Sequence, residues 1–267
     1  VQLADAPATW QLPSSIGSFN VTGNVSGLAV YMATISSVNY AFVGYSGGLA
    51  IINVSNPASP TLTSAYTTQG QVNDVMVVGT TAYLATVSNT AELTILNVAN
   101  PAAPATADTL NLGDTGDANT VFVQGTFAYV GKIAAGVGSN EFYIVNVATP
   151  TNITQSGAFT RLNADINSIC VNAAGTAAYL ATAQASNQLR ILNVTSKTAP
   201  TSSATVNLGA TATKLDCSSG TNCTSGTLRK ASLLKPAPPA QTKPTFKPRK
   251  NCTRSAQCAH IFCGTLK

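Results

Sequence analysis

Charge is what this sequence lacks most. Only 9% of its 267 residues are Asp, Glu, Lys or Arg, against roughly a quarter in ordinary soluble domains. Thr, Ser, Asn, Ala and Gly stand in their place, so hydroxyls and amides must solvate the surface. That balance suits a secreted or cell-surface β protein better than a cytoplasmic enzyme. The one histidine, His260, lies close to the C-terminus, which leaves the rest of the chain without an imidazole for a Ser-His-Asp or Cys-His arrangement. No Gly-rich phosphate loop follows a strand and opens a helix. No apolar run reaches the roughly 18 residues needed to cross a bilayer. The chain starts Val1-Gln2-Leu3-Ala4-Asp5, without Met, a basic start or an apolar stretch. The expectation is a processed or trimmed N-terminus, with any export signal or anchor upstream.

Hydrophobic residues make up 45% of the chain, enough for a sizeable core, and they recur in a pattern. One segment appears four times, at 49–57 (LAIINVSNP), 93–101 (LTILNVANP), 142–150 (FYIVNVATP) and 189–197 (LRILNVTSK). Another precedes each copy, at 40–44 (YAFVG), 81–85 (TAYLA), 127–131 (FAYVG) and 177–181 (AAYLA). The alanines of this second segment, Ala41, Ala82, Ala128 and Ala178, are about 41, 46 and 50 residues apart, within the range of propeller blades.

Each unit reads as four short strands rich in Val, Ile, Thr, Tyr and Phe, bounded by Gly, Asn and Pro. Apolar first strands are predicted near 28–33, 74–78, 120–124 and 168–172. Polar fourth strands are predicted at Leu62–Thr67, Ala105–Leu110, Ile153–Phe159 and Ser203–Leu208. The inner strands are apolar on both faces, as a sheet packed between two others requires. No stretch carries a convincing helical period. The fold class expected is therefore all-β, a small β-propeller of four-stranded antiparallel blades.

These repeats resemble the LVIVD-repeat family of β-propeller proteins over roughly residues 28–210. That family usually has Asp before the last Val of the third strand; this chain has Asn53, Asn97, Asn146 and Asn193 there. Asn keeps the hydrogen-bonding geometry and removes the charge. The resemblance implies a surface or exported protein, and no particular reaction.

Residues 16–22 (IGSFNVT) look like a fifth copy of the outer strand without the strands that should precede it. A five-blade ring with a degenerate last blade is expected, drawing on 211–235 for its inner strands. An open array, or a piece of a longer propeller, is the alternative. Residues 14–24 then become a candidate for self-association by strand pairing between chains, which would make the chain a filament or lattice subunit.

Composition breaks near residue 211. Up to 210, four basic residues face eight acids, a net −4; from 211 on, ten basic residues face Asp216 alone, a net +9. Domains are drawn at 1–213 for the repeats and 214–267 for a basic Pro/Cys-rich tail. Its segment 235–248 (KPAPPAQTKPTFKP) reads as an extended linker. Cys217, Cys223, Cys252, Cys258 and Cys263 are disulfide candidates in an exported chain. A zinc site from Cys252, Cys258, His260 and Cys263 fits no common finger spacing. Cys170, in an apolar strand, is expected to be a buried thiol. The tail lacks the interleaved aromatics of a nucleic-acid platform, so no nucleic-acid partner is expected.

The loops before the inner strands repeat a polar pattern: Gln71-Val-Asn-Asp74, Asp117-Ala-Asn-Thr120 and Asp165-Ile-Asn-Ser168. In a propeller they converge on one mouth of the channel. Asn73, Asp74, Asp117, Asn119, Asp165 and Asn167 are the ligand-binding candidates, for a sugar, a peptide or a cation such as calcium; no other cofactor is expected. The competing role for the three Asn residues is to cap local turns. A paired-carboxylate hydrolase or lyase acting on polysaccharide would need Asp114 with Asp117, or Asp74 with Asp165, brought face to face. Sequons at Asn20, Asn24, Asn53, Asn152, Asn193, Asn222 and Asn251 barely exceed the roughly five that composition yields by chance. The function these features favour is a non-enzymatic extracellular or cell-surface module for adhesion, scaffolding or ligand binding, with protein or glycan partners.

Overall fold

The computed structural model describes residues 15–21, 25–113, 115–160 and 162–216. They form four antiparallel sheets of four strands each, and no helix occurs among them. The first blade comprises β1 (Gly27–Ile35), β2 (Val38–Tyr45), β3 (Gly48–Asn53) and β4 (Thr61–Thr67). The second comprises β5 (Val72–Val78), β6 (Thr81–Thr86), β7 (Leu93–Asn97) and β8 (Ala105–Leu110). The third comprises β9 (Ala118–Gln124), β10 (Phe127–Lys132), β11 (Asn140–Asn146) and β12 (Thr154–Thr160). The fourth comprises β13 (Ile166–Val171), β14 (Ala177–Thr182), β15 (Leu189–Asn193) and β16 (Thr201–Val206). Every sheet is a meander, with each strand paired to its neighbour in sequence. The arrangement is propeller-like, because successive blades touch through their first strands, β1 with β5, β5 with β9 and β9 with β13. The first strands begin one to two residues earlier than the sequence predicts, and the last outer strand starts at Thr201 instead of Ser203.

Two local devices set the blade shape. The first two strands meet in a two-residue turn whose first residue has positive φ: Gly79 at 59° and Gly125 at 61°, the Gly-first hairpin geometry that matches strand twist. The first blade uses Ser36 and Ser37 there, at 50° and 65°. At the other end of each blade the repeated Asn closes the third strand. Its Oδ1 accepts the N–H two residues on: Asn53 from Ser55 (2.9 Å), Asn97 from Ala99 (2.9 Å), Asn146 from Ala148 (3.0 Å) and Asn193 from Thr195 (3.0 Å). An Asp would accept the same bond, so exchanging Asp for Asn keeps the turn while discharging it.

The core lies between blades. Ile35, Phe42, Leu49 and Ile51 of the first blade pack on Val72, Val75, Val77 and Leu84 of the second. Equivalent layers join the second blade to the third and the third to the fourth. Close approach is made possible by small residues on the second strand. A Cβ on Gly131 would lie 2.6 Å from Ile166 Cγ2 and 2.8 Å from Thr120 Cγ2.

Both ends of the array differ from its middle. Residues 15–21 sit beside the first blade, with Gly17 against the Pro57–Ala58 turn. Gly157 of outer strand β12 makes the same approach to Lys197–Thr198 of the next blade. Gly17 thus takes the place of an outer-strand residue of a preceding blade, the role expected of this segment. At the far end, residues 207–216 fold back so that Ala212 and Leu215 join Cys170, Ala181 and Leu189 in a last apolar cluster. Residues 217–235, the rest of the segment expected to complete a fifth blade, lie outside the described residues, as does the Pro/Lys segment.

Two expectations need correction. Cys170 is buried, as expected, but it is disulfide-bonded and not a free thiol. The inner strands are not all covered on both faces by the described residues: β1 leaves Leu28, Val30 and Met32 exposed.

Candidate functional site

The six candidate residues sit at the start of the first strands or just before them, and the structure links them from blade to blade. Asn73 Nδ2 donates to the carbonyl of Ala118 at 2.8 Å. Asn119 Nδ2 donates to that of Ile166 at 2.9 Å, and Asn167 Nδ2 to that of Ala212 at 2.8 Å. Each acceptor is the residue just before the next asparagine's position or its equivalent. The three amides therefore form a relay across the array instead of capping their own turns. Asn73 also accepts from Gln71 Nε2 at 2.6 Å, whereas Oδ1 of Asn119 and of Asn167 accept nothing from the described residues. All three side chains are half-buried.

The acids of this layer do related work. Asp74 Oδ2 accepts from Thr120 Oγ1 at 2.8 Å and from the Val121 N–H at 3.1 Å, tying β5 to β9. Its Oδ1 accepts the Val75 N–H at 3.0 Å. Asp165 Oδ1 accepts the Ala134 N–H at 3.0 Å, from the loop after β10. Asp117 contributes its backbone carbonyl to Ile133 at 2.9 Å, and its half-buried carboxylate has no such bond among the described residues. Asp74 and Asp165 are thus engaged with different neighbours. Asp114, the other proposed partner of Asp117, lies outside the described residues.

The same use of carboxylates recurs away from the layer, in residues the sequence reading did not single out. Glu92, fully buried, accepts the Leu112 N–H at 3.1 Å and pairs with buried Lys132 at 3.5 Å. Lys132 also donates to the Gly113 carbonyl at 2.5 Å and lies over the Tyr143 ring. Glu141, equally buried, accepts the Leu162 N–H at 3.1 Å. At the same position in the fourth blade, Gln188 accepts the Leu208 N–H at 2.7 Å. The signal was available in sequence, as an acid or amide directly before each of Leu93, Phe142 and Leu189. Asp108 holds the Ile153 N–H at 2.8 Å, across the second and third blades.

Residues 23–68, 69–111 and 115–160 each match the model of the LVIVD repeat. The chain belongs to the LVIVD-repeat family. The fourth blade lies beyond the matched residues and has the same four strands in the same order. No curated protein matches the chain. In this LVIVD-repeat protein the repeated Asn and Asp residues lie where the first strands begin, and that layer is the candidate binding surface.

Among the described residues, no three His, Cys, Asp or Glu side chains gather as metal ligands. No helix there is long and apolar enough to cross a membrane. Cys217, Cys223, Cys252, Cys258, His260 and Cys263 lie outside the described residues.

Proposed function

We propose that this LVIVD-repeat protein is a non-enzymatic binding or scaffolding module, exported or displayed at the cell surface, that takes a neutral polar ligand such as a glycan or an exposed peptide. The observation that carries this reading is where the acids go. Asp74, Glu92, Asp108, Glu141 and Asp165 each accept a backbone N–H from another strand or loop. A carboxylate held this way is a strut between strands and loops, and the oxygen that accepts is taken up by the fold.

Binding then falls to the acceptors that remain. The Oδ1 atoms of Asn119 and Asn167 and the carboxylate of Asp117 offer hydrogen-bond acceptors to hydroxyls or amide N–H groups. An oxidised Cys170 supports an oxidising compartment, and a surface poor in charge supports the same.

The test is a glycan array and a peptide array probed with the full chain, beside incubation with soluble polysaccharides. Binding that weakens in Asp117→Ala, with unchanged melting temperature, is the expected result. Release of reducing ends or unsaturated products from a polysaccharide would overturn the non-enzymatic reading.

A further inference from the structure

The two ends of the array are halves of one kind of interface. At each internal junction, the outward side chains of a first strand pack on the preceding blade. Val75 and Val77 of β5 are 3% and 5% exposed. By strand register, Val30 and Met32 hold the equivalent places on β1: Val30 pairs with Val43 and Val75 with Leu84, while Met32 pairs with Ala41 and Val77 with Ala82. Val30 and Met32 are 66% and 57% exposed. Leu28 stands where β5, β9 and β13 carry their relay asparagine, and it too is exposed, at 47%. β1 therefore presents the apolar surface that fits the far face of a blade of this type, and none of the described residues covers it.

The far face of the last blade is covered differently. Ala212 receives the Asn167 amide just as Ala118 and Ile166 receive theirs. Leu215, three residues on, is buried at 8%, as Val75, Val121 and Ile169 are buried three residues after Val72, Ala118 and Ile166. Residues 211–216 thus stand in for the start of a next first strand, lying over Cys170, Tyr179 and Leu189.

We propose that the chain self-assembles head to tail, with β1 of one copy docking on the fourth blade of a second copy, and that residues 211–216 are a built-in competitor for that docking place. The occupant is a second copy because both surfaces belong to an interface this chain already makes three times. The chain's own continuation is a poorer occupant. In the four blades the third strand ends 25 to 28 residues after the first begins. From Ala212 that count falls on 237–240, a stretch that holds Pro238 and Pro239, and proline is excluded from central strands. Such an interface is heterologous, so it closes into a ring if the rotation allows and otherwise extends as a filament.

The test is sedimentation and light scattering of the full chain over a wide concentration range. Three arms accompany it: Val30→Glu/Met32→Glu, Leu215→Asp, and a tagged Val30→Glu/Met32→Glu copy mixed with wild type. Concentration-dependent assembly, weakened about tenfold or more by the double glutamate variant, is expected for charges placed at an interface centre. Leu215→Asp, checked for native circular dichroism, should strengthen assembly by loosening the competitor. The tagged variant should still capture wild type, because its fourth blade is intact. Three results would overturn the proposal: wild type and Leu215→Asp both monomeric at all concentrations, assembly indifferent to the double glutamate change, or no capture by the tagged copy. The last would mean that the β1 faces meet each other.

Discussion

Tyr129 is a residue whose environment disagrees with its chemistry. It is fully buried in the layer between the third and fourth blades, and its hydroxyl has no hydrogen-bond partner among the described residues. Burial pushes the phenol up to about 12, because the anion would be stranded in an apolar layer. Removing the unsatisfied oxygen should help, so Tyr129→Phe is expected to raise stability by about 1 kcal/mol at neutral pH in chemical denaturation. The sign of the pH effect follows from the raised value. The unfolded chain loses the proton near 10 and the folded chain does not, so stability is intact below about pH 10 and falls as pH climbs toward 12. Melting curves between pH 9 and pH 11.5 should show that loss in wild type and a smaller one in Tyr129→Phe.

Two other single residues follow from backbone and packing. Ser36 holds a φ of 50° where the next two blades use Gly79 and Gly125. Ser36→Gly removes that strain and is expected to stabilise by roughly 0.5–1 kcal/mol, read as a higher denaturant midpoint. Gly131→Ala should do the opposite. The added methyl meets Ile166 and Thr120 of flanking first strands, and overpacking of that kind costs about 1–3 kcal/mol.

At the scale of elements, the asparagine relay makes a prediction of its own. Asn119→Ala frees the Ile166 carbonyl and removes one link between the third and fourth blades. A loss of about 1 kcal/mol is expected, with faster amide exchange along β13 than along β5. Fold and site were not equally legible at this scale. The meander of each blade could be read in sequence, because the alternating Ala-Tyr and Ile-Leu-Asn-Val segments report strand period and the Gly and Pro residues report turns. The candidate polar layer was legible as a repeated Asn, but its bonding was not. Whether Asn119 caps its own loop or reaches Ile166 depends on how close the next blade comes, and that distance is set by small residues such as Gly131 on a different strand. The disulfide at Cys170 was hidden for a similar reason: an apolar strand context predicts burial and says nothing about which distant sulfur arrives.

At the scale of the whole molecule, stability is spread over three equivalent junctions instead of one centre. A repeat array of this kind behaves as a row of coupled units, each supported by its neighbours. Among the described residues the third blade has a neighbouring blade on both sides, whereas the first has one on one side only. Hydrogen exchange should therefore fall from β1 to β9, with β1 the least protected of the first strands. Uniform protection across β1, β5, β9 and β13 would show that the first blade is covered in solution.

The asparagine relay also gives the molecule a direction. Every link runs from one blade to the backbone of the following one, and the acceptor is a carbonyl, which any residue supplies. Through this link a blade positions what comes after it without constraining which residue accepts the bond. Cutting at the residue before each asparagine, at Val72, Ala118 and Ile166, divides the chain into cassettes with interchangeable ends. The relay would tolerate a chain that lengthens or shortens by whole cassettes, while side-chain pairs across a seam, such as Glu92 with Lys132 and Asp74 with Thr120, would have to be matched anew.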